Sequence, residues 1–477
     1  MMNTTLPLII HGKDIVLPNH DHHYPISSNS APQLTAFQGA TPELAIQAVE
    51  SCASAFPTWS RTTPSQRRQL LLNLSSLLKT HTPTIQTLIE DEIHCPRPWS
   101  DENIAASIGM IEETASLIAD TLTGTIPPSN GNTYALVLKK PLGVVLGIVP
   151  WNAPLILGLR AVVPVVAGGN VAVLKGSELS PRTHHFITAL FREAGFPPGV
   201  VNFVLHRPED AAEVYECMVE HPAVKKCNFT GSTGVGRVIA AKAARALKPV
   251  LLELGGKNSV VVLEDADLGQ AVEEIVTAGF LNNGQICMST DLVYVVRSVA
   301  EELTGRILDR LHSEERPHRV ISTASRDRLT ALVEDARSKG AVIHQARNPV
   351  AEDPLAFPAT VIEGVTQDMD FYTIESFGPV FGIMVVDSEE QGLQMVKGSV
   401  YGLSSAVFTR DHFKALKMSG DIAAGAVHVN GGTVHDEATL PHGGVGDSGW
   451  GRFGGRWGLE EFLQTRTVVL NKCRASL

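Results

Sequence analysis

Between Tyr134 and Leu254 short apolar runs alternate with segments of helical length, and no other feature of the sequence restricts the fold so tightly. TYALVLKKPLGVVLGIVP reads as two β segments separated by Lys139-Lys140-Pro141-Leu142-Gly143. Helix-like ILGLRAVVPVVAGG and the short strand NVAVLK follow. The pattern then predicts helix 182–195, strand 201–205, helix 209–220, strand 225–229, helix 234–246 and strand 249–254. Strands joined by helices of this length run parallel and are covered on both faces, which gives an α/β domain. Its ligand belongs beyond the carboxyl ends of the strands. A second α/β unit begins near Asn258, where VVLEDADL leads into helix 268–282, and extends to about residue 430.

Upstream, ELAIQAVESCASAFPTW has helical spacing behind the cap Thr41-Pro42-Glu43, and further helices are expected over 65–80, 82–93 and 101–121. Residues 1–40 read as irregular or strand-like, and the polar stretch TGTIPPSNGN breaks the pattern near 122–132. LEEFLQTRTVVLN has β character, a terminal strand able to add to a partner's sheet.

A length of 477 residues allows two or three cooperating domains, and 44% hydrophobic against 19% charged residues is ordinary globular material. The net charge of −11, without a concentrated basic patch, speaks against a nucleic-acid surface. Cysteines 52, 95, 217, 227, 287 and 473 form neither a zinc knuckle nor a CxxC pair and read as reduced thiols. Histidines 11, 20, 22 and 23 sit in irregular surroundings that suit a solvated face better than a metal. MMNTTLPLIIHGKD has too short an apolar patch and no basic leader for a signal peptide, and no run of eighteen apolar residues offers a membrane span. A cytoplasmic location is the resulting expectation, with no membrane partner.

Two groups of residues carry chemistry. FTGSTGVGRVIA follows the strand KKCNF and enters a helix, so Gly231, Ser232 and the helix-start amides suit a pyrophosphate. The pattern is not GxGxxG, and a purely structural helix start explains it equally. Lys175 and Glu178, just past NVAVL, are either a charged loop pair or contacts to ribose; a carboxylate there disfavours a 2′-phosphate and hence NADP. In GFLNNGQICMST, Cys287 lies in a Gly/Asn-rich turn after a helix. Alone it is as well read as a structural thiol, and Glu253 in LELGGKN as an ordinary carboxylate. Together they supply a nucleophile and a water-activating base. Asn152 of VPWNAP either caps the next helix or, with the Cys287 N–H, donates to an oxyanion. Glu375 and Phe377 of ESFGPVFG are a loop carboxylate and a core aromatic, or contacts to the nicotinamide half of a dinucleotide.

VPWNAP, VAVLKGSE, FTGSTGVG, LLELGGKN, GQICMST and ESFGPV occur in the order and approximate spacing of the aldehyde dehydrogenase superfamily, which the chain resembles from about residue 35 to 470. The resemblance implies a Rossmann-like cofactor domain (1–122 and 142–254), an α/β catalytic domain (255–431), a small β oligomerisation element (123–141 and 459–477) and a substrate-channel and connecting loop (432–458). It implies catalysis by Cys287, Glu253 and Asn152. Cofactor contacts are implied for Val149, Pro150, Trp151, Lys175, Glu178, Gly231, Ser232, Leu254, Gly255, Glu375 and Phe377. The cofactor is then NAD, with NADP as the alternative, no metal is needed, and the assembly is a homodimer or homotetramer joined through 133–140 and 463–470.

LGVVLGIVPWNAPLILGLRA, REAGFPPGVVNFV and HVNGGTVHDEATLPHGGVGDSGWGRFGG resemble the branch of salicylaldehyde, vanillin and benzaldehyde dehydrogenases. That likeness implies an aromatic or hydrophobic aldehyde, with Arg160, Phe280 and Trp450 in the substrate channel. Arg160 is open to two readings, a contact to a ring substituent or a core-edge salt bridge. Trp450 stands where similar sequences more often carry tyrosine. Two departures stand out. LHSEERPHRVISTASRDR is shorter than the usual family segment, and Asp447 follows Gly446 where a lysine is common nearby. The first predicts altered periphery or assembly, the second an effect at the rim. The competing functions are a CoA-acylating dehydrogenase and an inactive nucleotide-binding homologue.

Overall fold

The computed structural model describes residues 4–18, 22–26, 33–131, 133–347 and 353–471; His20 and Cys473 lie outside them. Its centre is an eight-stranded sheet. Val250–Leu254, Val224–Gly231, Val144–Ile148, Val171–Lys175 and Val201–Val204 run parallel in that spatial order. Ile148 pairs with Lys175 on one side and Phe229 on the other. The chain therefore leaves Val144–Ile148 in one direction and later returns to its opposite side. This reversal opens a crevice at the carboxyl ends, beyond Val149 and Gly231.

A second, seven-stranded sheet holds Asn258–Val262, Thr290–Val296, Val380–Val386 and Ser404–Phe408 side by side in parallel register. Val261 and Tyr294 pack into the core on one face, while Val260, Val262, Val293 and Val295 pack into the core on the other. Both faces are covered, so these strands are continuously apolar rather than alternating.

The strands and helices follow the expected order, with instructive shifts. The first strand runs through Lys139 and Lys140 to Pro141, and only Leu142-Gly143 breaks it, held by their N–H groups donating to Asn170 Oδ1 at 2.6 and 2.9 Å. The segment ILGLRAVVPVVAGG is two helices, Pro154–Arg160 and Val163–Ala167, because Pro164 fits only the first turn of a new helix. The helix expected from 101 begins at Arg97, since Pro98 again occupies a first turn, and this brings Trp99 into the helix. The amino-terminal stretch is more regular than its composition suggests. Leu8–Ile10 and Lys13–Ile15 extend the edge of the eight-stranded sheet, and Thr4–Leu6, Leu34–Gln38 and His23–Pro25 form a three-stranded one.

Leu463–Leu470 pairs antiparallel along its whole length with Tyr134–Pro141 of the same chain. The terminal strand thus completes its own two-stranded sheet, leaving Tyr134, Val469 and Leu470 exposed. Among the described residues no helix is long and apolar enough to cross a membrane, and no cluster of three or more His, Cys, Asp or Glu side chains is placed to hold a metal.

Candidate active site

Cys287 owes its position to a turn that few residues can make. Asn282, Asn283 and Gly284 adopt φ of 48°, 58° and 69° in succession, a left-handed path tolerated by asparagine and glycine. The turn is pinned from several sides. Gln285 is fully buried and accepts from the Ile321 N–H at 2.8 Å, and Asn258 Nδ2 donates to the Cys287 carbonyl at 2.8 Å. Among the described residues the backbone N–H of Cys287 has no hydrogen-bond partner. Cys52, Cys95 and Cys227 are core thiols, whereas Cys287 stays partly accessible and lines two cavities.

Glu253 lies on the strand Val250–Leu254 and is wholly buried, yet among the described residues neither carboxylate oxygen has a hydrogen-bond partner. Burial works against its charge, but His442, Arg160 and the Cys287 thiol together hold its carboxyl below the ordinary glutamate value. The thiol is shifted the other way: burial raises Cys287 well above the usual range, the Glu253 charge adds to this, and Arg160 opposes it. At rest the shared proton therefore sits on sulfur, with an ionised carboxylate against it.

Asn152 does not cap the following helix, whose N-cap is Ala153. Its Nδ2 donates to the Gln285 carbonyl at 3.1 Å, and its own carbonyl accepts from Trp99 Nε1 at 3.1 Å and Asn282 Nδ2 at 3.0 Å. One Nδ2 hydrogen remains for another acceptor.

A cavity of about 480 Å³ opens on one side of Cys287, bounded by Pro150 and Trp151, Gly231 and Ser232, Leu254 and Gly255, and Glu375 with Phe377. It suits a dinucleotide. The helix Thr233–Arg245 starts on it without a side-chain cap, so its first N–H groups can receive a pyrophosphate, and a Cβ at Gly234 would meet nothing within 4 Å. At Gly255 the space is already taken: a Cβ would lie 2.3 Å from the Glu375 carboxylate, which accepts from the Gly256 N–H at 3.2 Å. Burial and the neighbouring Asp291 push the Glu375 carboxyl up to about 7, against the Gly256 N–H, Lys257 and Arg328. The Phe377 ring meets Trp151 edge-on at 5.7 Å. Val149 is buried at the end of its strand. Lys175 is the last residue of the neighbouring strand Val171–Lys175 and Glu178 lies just past it; neither lines this cavity.

A cavity of about 60 Å³ lies on the other side of Cys287, between Trp99, Ile156, Leu157, Met288 and Val434. Arg160, Asp436, Ala106 and Ile156 line both it and an outer cavity of about 270 Å³, so the two make one channel. Arg160 forms a salt bridge with Asp436.

Two expected channel residues are elsewhere. Phe280 is 1% exposed and packs against Phe381 at 5.2 Å and His318 at 5.8 Å, inside the core of the seven-stranded sheet. Trp450 is 52% exposed at the edge of the eight-stranded sheet, where it pairs with Leu252 and its Nε1 donates to the Val250 carbonyl at 2.8 Å. It clamps the strand that carries Glu253 rather than facing the channel. Asp447 makes a surface ion pair with Arg237 at 2.6 Å. The shortened segment is less peripheral than expected. At its end Arg328 lines the large cavity and donates to the carbonyls of Glu375 and Ser376 at 2.9 and 2.6 Å.

Trp99, Asp436 and His442 also belong to the site; the last two lie in the 432–458 stretch expected to form the channel loop, where neither residue is marked individually. Trp99 depends on an early helix start, and the other two on the path of a loop more than 140 residues after Cys287.

Residues 20–468 match the aldehyde dehydrogenase family. A vanillin dehydrogenase of Pseudomonas fluorescens is 37% identical over 477 residues, covering 98% of both chains. A salicylaldehyde dehydrogenase of Pseudomonas putida is 37% identical over 457 residues, covering 94% of this chain and 93% of the relative. The crystal structure of a salicylaldehyde dehydrogenase from Pseudomonas putida G7, complexed with salicylaldehyde, superposes with a TM-score of 0.94 at 34% identity over 99% of each chain. That of a betaine aldehyde dehydrogenase from Staphylococcus aureus in complex with NAD+ gives 0.91 at 28% identity over 98% of this chain and 94% of the other. The architecture is thus a Rossmann-like cofactor domain, a catalytic domain and a small β oligomerisation sheet. The chain belongs to the aldehyde dehydrogenase family, enzymes that oxidise an aldehyde to a carboxylic acid with NAD(P).

Proposed function

We propose that Cys287 is the nucleophile, Glu253 the base and Asn152 the oxyanion donor for an aromatic or similarly hydrophobic aldehyde. One observation carries this: Cys287 and Asn152 border both the dinucleotide-sized cavity and the channel, and Glu253 lines the first of these with them.

Glu253 removes the thiol proton, and sulfur attacks the aldehyde carbon. The new oxyanion accepts from the Cys287 N–H and the unused Nδ2 hydrogen of Asn152. NAD(P), when bound, takes up the hydride from that carbon. A thioester is left on Cys287. Glu253, after shedding the first proton, deprotonates a water that attacks the thioester; the acid leaves with its own proton, and Glu253 returns a proton to the freed sulfur. The buried carboxylate favours water over CoA as the resolving nucleophile.

For the cofactor, Glu375 and Phe377 suit the nicotinamide half, Gly231, Ser232 and the helix start the pyrophosphate, and Val149, Pro150, Trp151, Leu254 and Gly255 the walls. Lys175, at the carboxyl end of the strand beside Val144–Ile148, and Glu178 just past it suit an adenosine ribose, and the Glu178 carboxylate favours NAD over a cofactor bearing a 2′-phosphate. The apolar walls of the channel, and relatives named for salicylaldehyde and vanillin, support an aromatic substrate. We assign 1–122 and 142–254 to the cofactor domain, 255–431 to the catalytic domain, 432–458 to the channel loop, and 123–141 with 459–477 to oligomerisation. The exposed two-stranded sheet supports a homodimer, alone or paired into a tetramer. Cofactor reduction measured across aromatic and aliphatic aldehydes, with NAD and NADP, tests the assignment. It expects NAD, an aromatic preference and a free acid product. Acyl-CoA formation or an aliphatic preference contradicts it.

A further inference from the structure

We infer that His442 is the proton-carrying partner of Glu253, and that His442, Asp436 and Arg160 form the exit by which protons reach solvent. The inference rests on Glu253 acting as the base.

The chemistry requires an exit. Aldehyde, NAD+ and water give carboxylate, NADH and two protons; one leaves with the acid, and the thiol proton taken up by Glu253, whose side chain is 0% exposed, must leave that carboxylate before it can activate water. The cleft on one side of Glu253 is the one that suits the cofactor. On the other side stands His442, with Nε2 3.7 Å from Glu253 Oε1 and Nδ1 3.8 Å from Asp436 Oδ1. Either gap closes to hydrogen-bonding distance with a small rotation of the ring. Its backbone is fixed by paired hydrogen bonds with Phe453, 2.8 Å in each direction.

Exposure rises along the chain of groups, from 0% for the Glu253 side chain to 10% for His442 and 24% for Asp436. Asp436 and Arg160 line both the inner and the outer cavity, so they connect the sealed carboxylate with the channel mouth. The charged and titratable groups around this array are Glu253, Cys287, Asp436, Arg160, Glu102 on the helix Arg97–Thr121 and, lining the outer cavity, Glu437, which pairs at 2.8 Å with His435 near Asp436 and Glu102. Once Glu253 has taken up a proton, the tautomer with hydrogen on Nδ1, toward Asp436, leaves the Nε2 lone pair facing Glu253. Protonated Glu253 gives its proton to Nε2, and the resulting imidazolium releases the Nδ1 proton through the Asp436 carboxylate to water in the outer cavity. Arg160 keeps Asp436 ionised, so it relays the proton rather than retaining it. No electrons move in this sequence.

The experiment compares H442F, H442A, D436N and E253Q, with NAD binding followed by protein fluorescence to confirm folding. H442F is expected to keep a first-turnover burst of NADH while steady-state kcat falls by on the order of a hundredfold, with KM for the aldehyde falling alongside it and kcat/KM little changed. The first proton can rest on Glu253, but the second has nowhere to go. D436N is expected to weaken kcat in the same direction, and both substitutions to alter the pH profile of kcat. Added imidazole is expected to restore turnover to H442A. Wild-type kcat and pH profile in H442F would overturn the inference, as would a loss that imidazole does not repair and that leaves the pH profile unchanged. E253Q separates the two levels. If E253Q is crippled while H442F is normal, only the role of His442 fails; if E253Q turns over normally, the assignment of the base itself fails.

Discussion

Asn152 Nδ2 donates to the carbonyl of Gln285, two residues before Cys287, at 3.1 Å. The bond ties the strand end of the first sheet to the nucleophile turn and fixes the direction of the remaining Nδ2 hydrogen. N152D keeps the shape and loses the donor. We expect kcat to fall by about 10²–10³ with the KM for NAD nearly unchanged, measured by steady-state NADH formation. An equal loss in KM and none in kcat would place Asn152 outside the reaction.

Glu375 gives a pH dependence whose sign is fixed. Its carboxyl is raised to about 7, so it is largely protonated at pH 6 and ionised at pH 8. The ionised form accepts ribose hydroxyls best, so NAD binding weakens as pH falls through 7, by up to about tenfold per unit below it. Titrating NAD affinity from pH 5.5 to 8.5 checks this, and E375Q should flatten the curve.

Glu178 tests cofactor choice. Replacing it with serine removes the charge opposed to a 2′-phosphate. The ratio of kcat/KM for NADP to that for NAD should rise by about tenfold. An unchanged ratio would assign selection to other groups.

Lys257 and Asp291 form a pair at 3.0 Å with both side chains 3% exposed, and Lys257 also donates to the Ile374 carbonyl next to Glu375. D291A leaves a buried ammonium unpaired, a cost of about 3–5 kcal/mol. A lower unfolding temperature and weaker NAD binding are expected together, read by thermal denaturation and fluorescence titration.

The parallel strands were legible because burial on both faces makes each one a short, uniformly apolar run. Asn152 stood out in a Pro-containing turn after an apolar strand, Glu253 near the end of a strand just ahead of two glycines, and Cys287 in a Gly/Asn-rich turn between a helix and a strand. Phe280 and Trp450 were misplaced because sequence spacing does not say which face of a helix or edge of a sheet a ring takes. Phe280 faces the Phe381 side of its helix and Trp450 a sheet edge. His442 and Asp436 come into the site through long-range folding of a loop whose local sequence has no period. The regular strands before residue 40 were hidden because their partners, such as Phe203 opposite Ile9, are far away in the chain.

The most direct test uses E253Q, mixed with an aromatic aldehyde and NAD, quenched and digested, with the mass of the Cys287 peptide recorded. A base that both forms the thiolate and hydrolyses the thioester predicts slow acylation of Cys287 in E253Q, an adduct that then persists, and one NADH for each acylated Cys287 without turnover. Unmodified Cys287 accompanied by wild-type turnover would contradict it.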